Sequence, residues 1–546
     1  MYKRFVVLFS ILMSCFCFLF FVLDSISCKK NLRQAAMNQQ SYKLKICDIR
    51  GTIYDCRNIP MVNTKKKIVA AAIPCLESLN ILDSIINDSQ REELYKKCSE
   101  KTPFIIQVNK NNNLDSKYVK FFEVPIRYSG VILAPHIIGY LSENKTGVYG
   151  IEKAYDNYLS DVNSNSEICV KYDIDASGKI IMGRENIIQD KLYCASQGVV
   201  LNLDSRIQAI AEEVANKYIS RGAVIITEVP NCEIRASVSL PSFFPGDISS
   251  YLNNPNSPLL NRALCSFNLG SIFKLITSAV SLEKNINNIN FYYDCTGENK
   301  VQDAKFRCFN SKKHEKINLE EALAYSCNGY FVELIKNIVT RDKLLDMCQK
   351  LGLGKEIKLA DHIFSHAGLL PSYESLENLK TLANFSFGQG KLLVTPMQIS
   401  AIINTIASDG VYTQPKLVKN LVNKNMEIIQ DKNLENLNTK TQVLPKKITD
   451  ILKSCMKASV DYGTSSRGKP ENNITCGAKT STAQTGIIEN NKKIEQSWYA
   501  GFFPYENPKY SIVILSEAGR GGGESAGPVF KEIIERIYNE IPEIFV

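Results

Sequence analysis

Leu269 to Ser278 reads LGSIFKLITS, with Ser271 and Lys274 three residues apart just after a glycine. On a helix that spacing puts both side chains on one face. A serine hydroxyl becomes a useful nucleophile when a base takes its proton. Lysine can be that base in its neutral form, which burial and a second nearby cation both favour. A helix start at Ser271 would add free N–H groups and a dipole suited to developing negative charge. Yet Ser-x-x-Lys occurs six times, starting at Ser27, Ser142, Ser271, Ser281, Ser454 and Ser466. The pattern alone selects none of them.

Two downstream stretches complete a constellation around Ser271. AYSCNGYF supplies Ser326 and Asn328, a hydroxyl for proton relay and an amide to orient substrate and lysine. CGAKTSTAQTG supplies Lys479, Thr480, Ser481 and Thr482, a small-residue run suited to an edge strand that substrate backbone can line. Lys479 would be the second cation. A decoy lies upstream: SENKTGVYG holds Ser142-x-x-Lys145 and a literal Lys145-Thr146-Gly147. It is rejected because one lysine cannot be both base and second cation, and no Ser-x-Asn lies between its boxes.

The elements that must position these groups read as α+β. After residue 197 come a strand, a helix starting at Asp204/Ser205 and a buried strand, then long helices. Two strands around Trp498 and Ile514 and a closing helix end the chain. The pattern implies one antiparallel sheet built from both ends of the domain, flanked by helices, with a helical insertion between. Trp498, the only tryptophan, reads as a packing residue or cleft wall, and Gly388, Gln389 and Gly390 as backbone-fitting. Residues 29–197 alternate short β-like runs with charged helical segments and assemble no nucleophile with a base.

At the N-terminus, Phe5–Leu23 is an uncharged run of 19 residues, enough to span a bilayer core. It reads as an uncleaved anchor in preference to a signal peptide, whose apolar region is usually shorter and ends in an Ala-x-Ala-like site. The expected domains are 1–28, an N-terminal stub and transmembrane anchor; 29–197; and 198–546, carrying the chemistry. A net charge of +9 over 546 residues, without an arginine stripe or interleaved aromatics, does not describe a nucleic-acid groove. The 17 cysteines and four histidines show no ligand-spaced cluster, so no metal or cofactor is expected. Cys295 and Cys308 could pair, most other cysteines read as small buried apolar residues, and His314 and His366 as surface or loop residues.

Ser-x-x-Lys, Ser-x-Asn and Lys-Thr-Gly, in that order, are the three boxes of penicillin-binding proteins and serine β-lactamases. The flanks LLNRALCSFNLGSIFK, FGQGKLLVTPMQ, WYAGFFP and AGPVF resemble the class B penicillin-binding proteins, as do RGTIYDCRNIPMV and YGIEKAYDNYL upstream. The likeness runs from about residue 50 to the end. It implies a penicillin-binding transpeptidase fold over 198–546, preceded by a transmembrane helix and an elongated mixed α/β pedestal or dimerisation-type domain over 29–197. It implies a D,D-transpeptidase that forms an acyl-enzyme with the D-Ala-D-Ala end of a peptidoglycan stem peptide and is acylated by β-lactams. Ser271 would be nucleophile, Lys274 base, Ser326 and Asn328 the relay and positioning pair, and Lys479 the electrostatic tuner. Thr480 and Thr482 would hold the terminal carboxylate, and the N–H groups of Ser271 and Thr482 would form the oxyanion hole. The resemblance further implies a cell-membrane protein with a cytoplasmic N-terminus and an extracytoplasmic catalytic domain, partnered by a polytopic membrane glycosyltransferase.

The chain departs from the family pattern at Ser481, where glycine is usual. A cleft-facing hydroxymethyl there is expected to crowd substrate or antibiotic. Leu269 replaces a proline, and Cys56, Arg57 and Asn58 stand where the pattern reads Arg-Asn-Gly. Two other classes stay open at this point: a D,D-carboxypeptidase or β-lactamase-type hydrolase, and a non-catalytic penicillin-binding sensor or scaffold.

Overall fold

A computed structural model of the chain describes residues 2–27, 40–48, 50–100, 102–109, 116–160, 167–175, 179–181, 187–190, 197–431, 434, 439–471, 474–489, 492–519 and 521–545. Helix α1, Tyr2–Ser27, runs for 26 residues with its apolar side chains exposed, and is long and apolar enough to cross a bilayer. The charges at Lys29, Lys30 and Arg33 that follow it lie outside the described residues.

The chain divides into two compact units. The first comprises Met1–Arg50, Asn63–Arg127 and Ser160–Ser196 and is mixed α/β, as expected. Strands Ser41–Asp48, Glu167–Asp173 and Ile187–Asp190 form one three-stranded antiparallel sheet. Strand Lys65–Ala72 is central in another, between Phe104–Val108 and Val119–Ile126. Its alanine-rich end feeds two cores: Val69 and Ala71 join one, Ala70 and Ala72 the other. That is the period-two alternation of a strand covered on both faces.

The second unit comprises Gly51–Val62, Tyr128–Leu159 and Gln197–Val546, so it reaches back across the expected boundary at residue 197. Hydrogen bonding and packing explain why. Thr52–Tyr54 pairs in parallel with Gly198–Leu201, and Ile137, Ile151 and Leu159 share a core with Leu201, Ile225 and Met397. The buried Asp55 carboxylate accepts from Arg57 N and Ile59 N, both at 2.8 Å, and from the Ser205 hydroxyl at 2.8 Å. Asn58, standing where the resembled pattern has glycine, takes φ 64°. Asparagine tolerates that left-handed conformation better than most residues, so the departure preserves the turn.

Helix α2, Ser205–Tyr218, starts at Asp204, whose carboxylate accepts from Arg206 N. Strands β1, Gly222–Glu228, and β2, Glu233–Leu240, follow. Helices α3, Lys274–Lys284, α4, Asn328–Asn337, α5, Pro396–Ala407, and α6, Lys446–Asp461, lie in the middle of the unit's sequence. Strands β3, Gly477–Glu489, β4, Lys492–Phe503, and β5, Tyr510–Ser516, precede the last long helix, α7, Gly527–Glu540. The five strands form one antiparallel sheet in the order β2-β1-β5-β4-β3, built from both ends of the unit as the sequence predicts.

Alternation decides what each face of the sheet covers. Trp498, Ala500, Phe502, Val513 and Leu515 pack with Leu275 of α3, Phe331 of α4, Ile403 of α5 and Leu452 of α6. Tyr499, Phe503, Ile512 and Ile514 pack with Ile210 of α2 and Phe530 of α7. The sheet is therefore covered by apolar side chains on both sides, which is why its central strands β1 and β5 read as nearly continuous hydrophobic runs.

Candidate active site

Gly270 brings the chain to Ser271 at φ 73°, a left-handed conformation that favours glycine. A Cβ added there would lie 2.5 Å from Ser481 Oγ and 2.9 Å from Thr482 O, so the loop leading to Ser271 rests directly on β3. Gly270 N donates to Gly388 O at 2.9 Å, and a Cβ on Gly388 would clash with the Gly270 carbonyl. Gly388 thus has the backbone-fitting role expected of it. Ser271 opens a single 3₁₀ turn, Ser271–Phe273, that runs into α3 at Lys274. The helix start falls where the sequence sets it, with a tighter first turn.

Lys274 is fully buried. Its Nζ donates to Asn328 Oδ1 at 2.7 Å, Ser326 O at 2.8 Å and Ser326 Oγ at 3.1 Å, and lies 5.5 Å from the centre of the Phe331 ring. Burial pulls its pKa down from the ordinary 10.5 to about 8. Lys274, Ser326 and Asn328, remote from one another in sequence, are therefore brought together in space. Ser326 holds φ 58°, unusual for a non-glycine residue and costing about 1–3 kcal/mol. That conformation lets both its carbonyl and its hydroxyl face one ammonium.

Lys479 is also fully buried, on edge strand β3, and donates to Thr480 O at 3.1 Å. Burial first, and the Lys274 charge second, depress its pKa well below the ordinary value. The two lysines repel, so adding a proton to one favours losing it from the other. Lys274 has three acceptors, so the charge settles on it more readily than on Lys479 before substrate binds.

Along β3, Lys479 and Ser481 share one face, and Thr480 and Thr482 the other. Ser481 is only 2% exposed, and its hydroxyl donates to Leu269 O. The expectation that it faces the cleft is corrected: the buried hydroxymethyl braces the loop that leads to Ser271. Thr480 Oγ1 donates to Thr464 Oγ1 at 2.8 Å, on the face of β3 that it shares with Thr482. Thr482 Oγ1 accepts from Gly522 N at 3.2 Å, and this bond leaves the threonine's own proton uncommitted. Trp498 is a buried packing residue whose Nε1 donates to Asn268 O at 2.8 Å, while Gln496 Oε1 accepts from Asn268 N at 2.7 Å. Both bonds steady the segment leading to Ser271.

The thiols depart from what their sequence spacing implies. Cys295, Cys308 and Cys327 are buried and converge with half-buried His314 next to the Ser326–Asn328 turn, so His314 is no ordinary loop residue and these cysteines are not dispersed. Their sulfurs are 3.4–3.7 Å apart, and Cys295 and Cys308 are not paired with each other. Spacings of 13, 6 and 13 residues hide the cluster from any short motif.

Comparison with known proteins places this architecture. Residues 222–535 match the family described as penicillin binding protein transpeptidase domain. The chain belongs to the penicillin-binding transpeptidase family, in its class B branch. One relative, peptidoglycan D,D-transpeptidase FtsI of Buchnera aphidicola, is 26% identical over 424 residues, covering 75% of this chain and 68% of the relative. Stage V sporulation protein D of Bacillus subtilis is 26% identical over 554 residues, covering 95% and 82%. A solved chain from a peptidoglycan synthase complex that coordinates polymerization and crosslinking shares the fold, with TM-score 0.72, 21% identity and 98% coverage of both chains.

Proposed function

We propose that this transpeptidase cross-links peptidoglycan stem peptides through an acyl-enzyme on Ser271 and is acylated there by β-lactams. The observation that carries the assignment is the buried Lys274 ammonium, held by Ser326 and Asn328 one helical turn from Ser271. Neutral Lys274 takes the Ser271 proton, and Oγ attacks the carbonyl between the two D-Ala residues. The N–H groups of Ser271 and Thr482 receive the oxyanion. The Ser326 hydroxyl relays the proton to the departing D-Ala amine, and an acceptor amine then attacks the ester. Thr482, with its hydroxyl proton uncommitted, binds the terminal carboxylate, and Thr480 stands beside it on the same face of β3. That carboxylate favours a proton on Lys479, whose charge then drives Lys274 towards its neutral, basic form. Substrate thus helps to arm its own base.

By this reading α1 anchors the chain in the cell membrane with the N-terminus cytoplasmic and the catalytic unit outside. A polytopic membrane glycosyltransferase supplies the glycan strands. The test is to incubate the purified full-length chain with a fluorescent penicillin, then with a D-Ala-D-Ala donor and an amine acceptor. Stable label that disappears in Ser271→Ala, together with cross-linked product, is expected. Label on Ser271→Ala would sink the acyl-enzyme assignment, and rapid release of hydrolysed penicillin would make the protein a hydrolase instead.

A further inference from the structure

The acyl-transfer reading leaves Cys295, Cys308, His314 and Cys327 without a task. Each is set by backbone. Cys295 ends strand Tyr293–Cys295, which pairs with Glu315–Ile317, so His314 N donates to Cys295 O at 3.2 Å. Cys308 follows strand Ala304–Arg307, and its N–H donates to Gly297 O at 3.0 Å. Cys327 is the N-cap of α4, between Ser326 and Asn328, with its N–H on Ala322 O at 2.9 Å.

Their side chains meet at distances with a specific meaning. The Sγ–Sγ separations are 3.7 Å for Cys295–Cys308, 3.4 Å for Cys295–Cys327 and 3.7 Å for Cys308–Cys327. Cys295 Sγ lies 3.4 Å from His314 Nδ1, and all four ligand atoms fall within 4.8 Å of one another. A disulfide would need sulfurs about 2.0 Å apart and would leave a thiol and an imidazole over. Four ligands around zinc, with bonds of about 2.3 Å to sulfur and 2.0–2.1 Å to nitrogen, have tetrahedral edges of about 3.8 Å for S···S and 3.6 Å for S···N. The three Sγ–Sγ distances and the Cys295 Sγ–His314 Nδ1 distance sit close to those edges.

We propose that Cys295, Cys308, His314 and Cys327 form a closed, structural zinc site that fastens the Ser-x-Asn turn to the neighbouring 293–317 segment. Zinc binding would release the three thiol protons to solvent and leave a Cys₃His shell with no open position, so the ion takes no part in the chemistry. What it supplies is position. Cys327 lies between the two residues that grip Lys274, and Asn328 Nδ2 also donates to Arg307 O at 2.8 Å, next to ligand Cys308. A metal pinning Cys327 and Cys308 together would hold Ser326 in its strained φ of 58° and keep Asn328 aimed at the lysine. The four ligands are positioning residues; this second part rests on the proposed acyl-enzyme, whereas the metal site does not.

The test uses the full-length chain purified in detergent, under reductant and without chelator, from cells supplied with zinc. Elemental analysis is expected to find one zinc per chain, lost in Cys308→Ser and Cys327→Ser and kept in Cys98→Ser. Cobalt(II) titrated into wild-type chain stripped of metal should give the intense visible bands of a tetrahedral site with sulfur-to-cobalt charge transfer, a reading that does not depend on any variant folding. Stripping zinc should slow fluorescent-penicillin acylation about 10–100-fold, the range found for supporting shells, with recovery on adding zinc alone. Wild-type chain without zinc and without cobalt bands overturns the site, as does zinc retained in both ligand variants. Zinc bound but acylation unchanged on its removal overturns the positioning role alone. Zinc and cobalt bands in a chain that penicillin never labels uphold the site and count against the acyl-enzyme instead.

Discussion

Ser142 and Lys145 flank a tight turn in which Ser142 N donates to Thr146 O at 2.8 Å and Lys145 N returns to Ser142 O at 2.9 Å. The Ser142 hydroxyl is paired with Thr146 Oγ1 at 2.7 Å, and Lys145 is exposed at φ 61°. Ser271 and Lys274 have the same letters and the same spacing, yet Lys274 is buried among three acceptors with Lys479 buried nearby. Spacing supplies only proximity. A lysine becomes a base at moderate pH because its charged form has been made expensive, and that takes a core, not a motif.

The comparison can be broken most sharply at the serines. Ser271→Ala should abolish penicillin labelling, a loss on the order of 10⁶ in rate when a serine nucleophile is removed, while Ser142→Ala labels like the parent. At the lysines, Lys274→Met should cost about 10²–10⁴ in acylation rate and Lys145→Met nothing measurable in the same stopped-flow assay. A pH profile sharpens the point. Lysine acts as a base only when neutral, so with a pKa of about 8 the acylation rate should climb roughly tenfold per pH unit from pH 6 and level off above 8. A rate still climbing tenfold per unit at pH 10 would show a lysine as unperturbed as a surface one. The smallest effect is expected at Ser481→Gly, which removes the hydroxyl bond to Leu269 O. It should cost about 1–2 kcal/mol, seen as a lower midpoint for thermal loss of penicillin binding, with acylation changed less than tenfold.

Much of the site was legible because its order along the chain is unusual. Ser271, the Ser326/Asn328 pair and Lys479 appear in sequence inside long flanks, and Gly270 marks the start of the helical turn. The centre of the sheet was legible too, since both its faces are covered and β1 and β5 read as apolar runs. Ser481 was not, because its role depends on which face of β3 meets the Leu269 carbonyl, a tertiary fact. The Cys/His cluster escaped because its members sit at the ends of three short strands and at a helix cap, too far apart to register as a pattern. The reach of the second unit back to residue 51 was hidden for a similar reason: Thr52–Tyr54 is only three residues long, and its partner at Gly198–Leu201 is remote in sequence.

β3 also carries a consequence for how such a chain can change length. From Gly477 to Gln484 it pairs with β4 residue for residue, and between Gln484 and Ile488 the register shifts. One residue inserted or deleted before Lys479 would turn that ammonium into the opposite core and swing Ala478 towards the serine. Beyond Gln484 the ladder already absorbs an irregularity, so the hairpin tip can lengthen, shorten or acquire new sequence without reaching the lysine. Inherited variation in length should therefore pile up on one side of Gln484 and be nearly absent on the other.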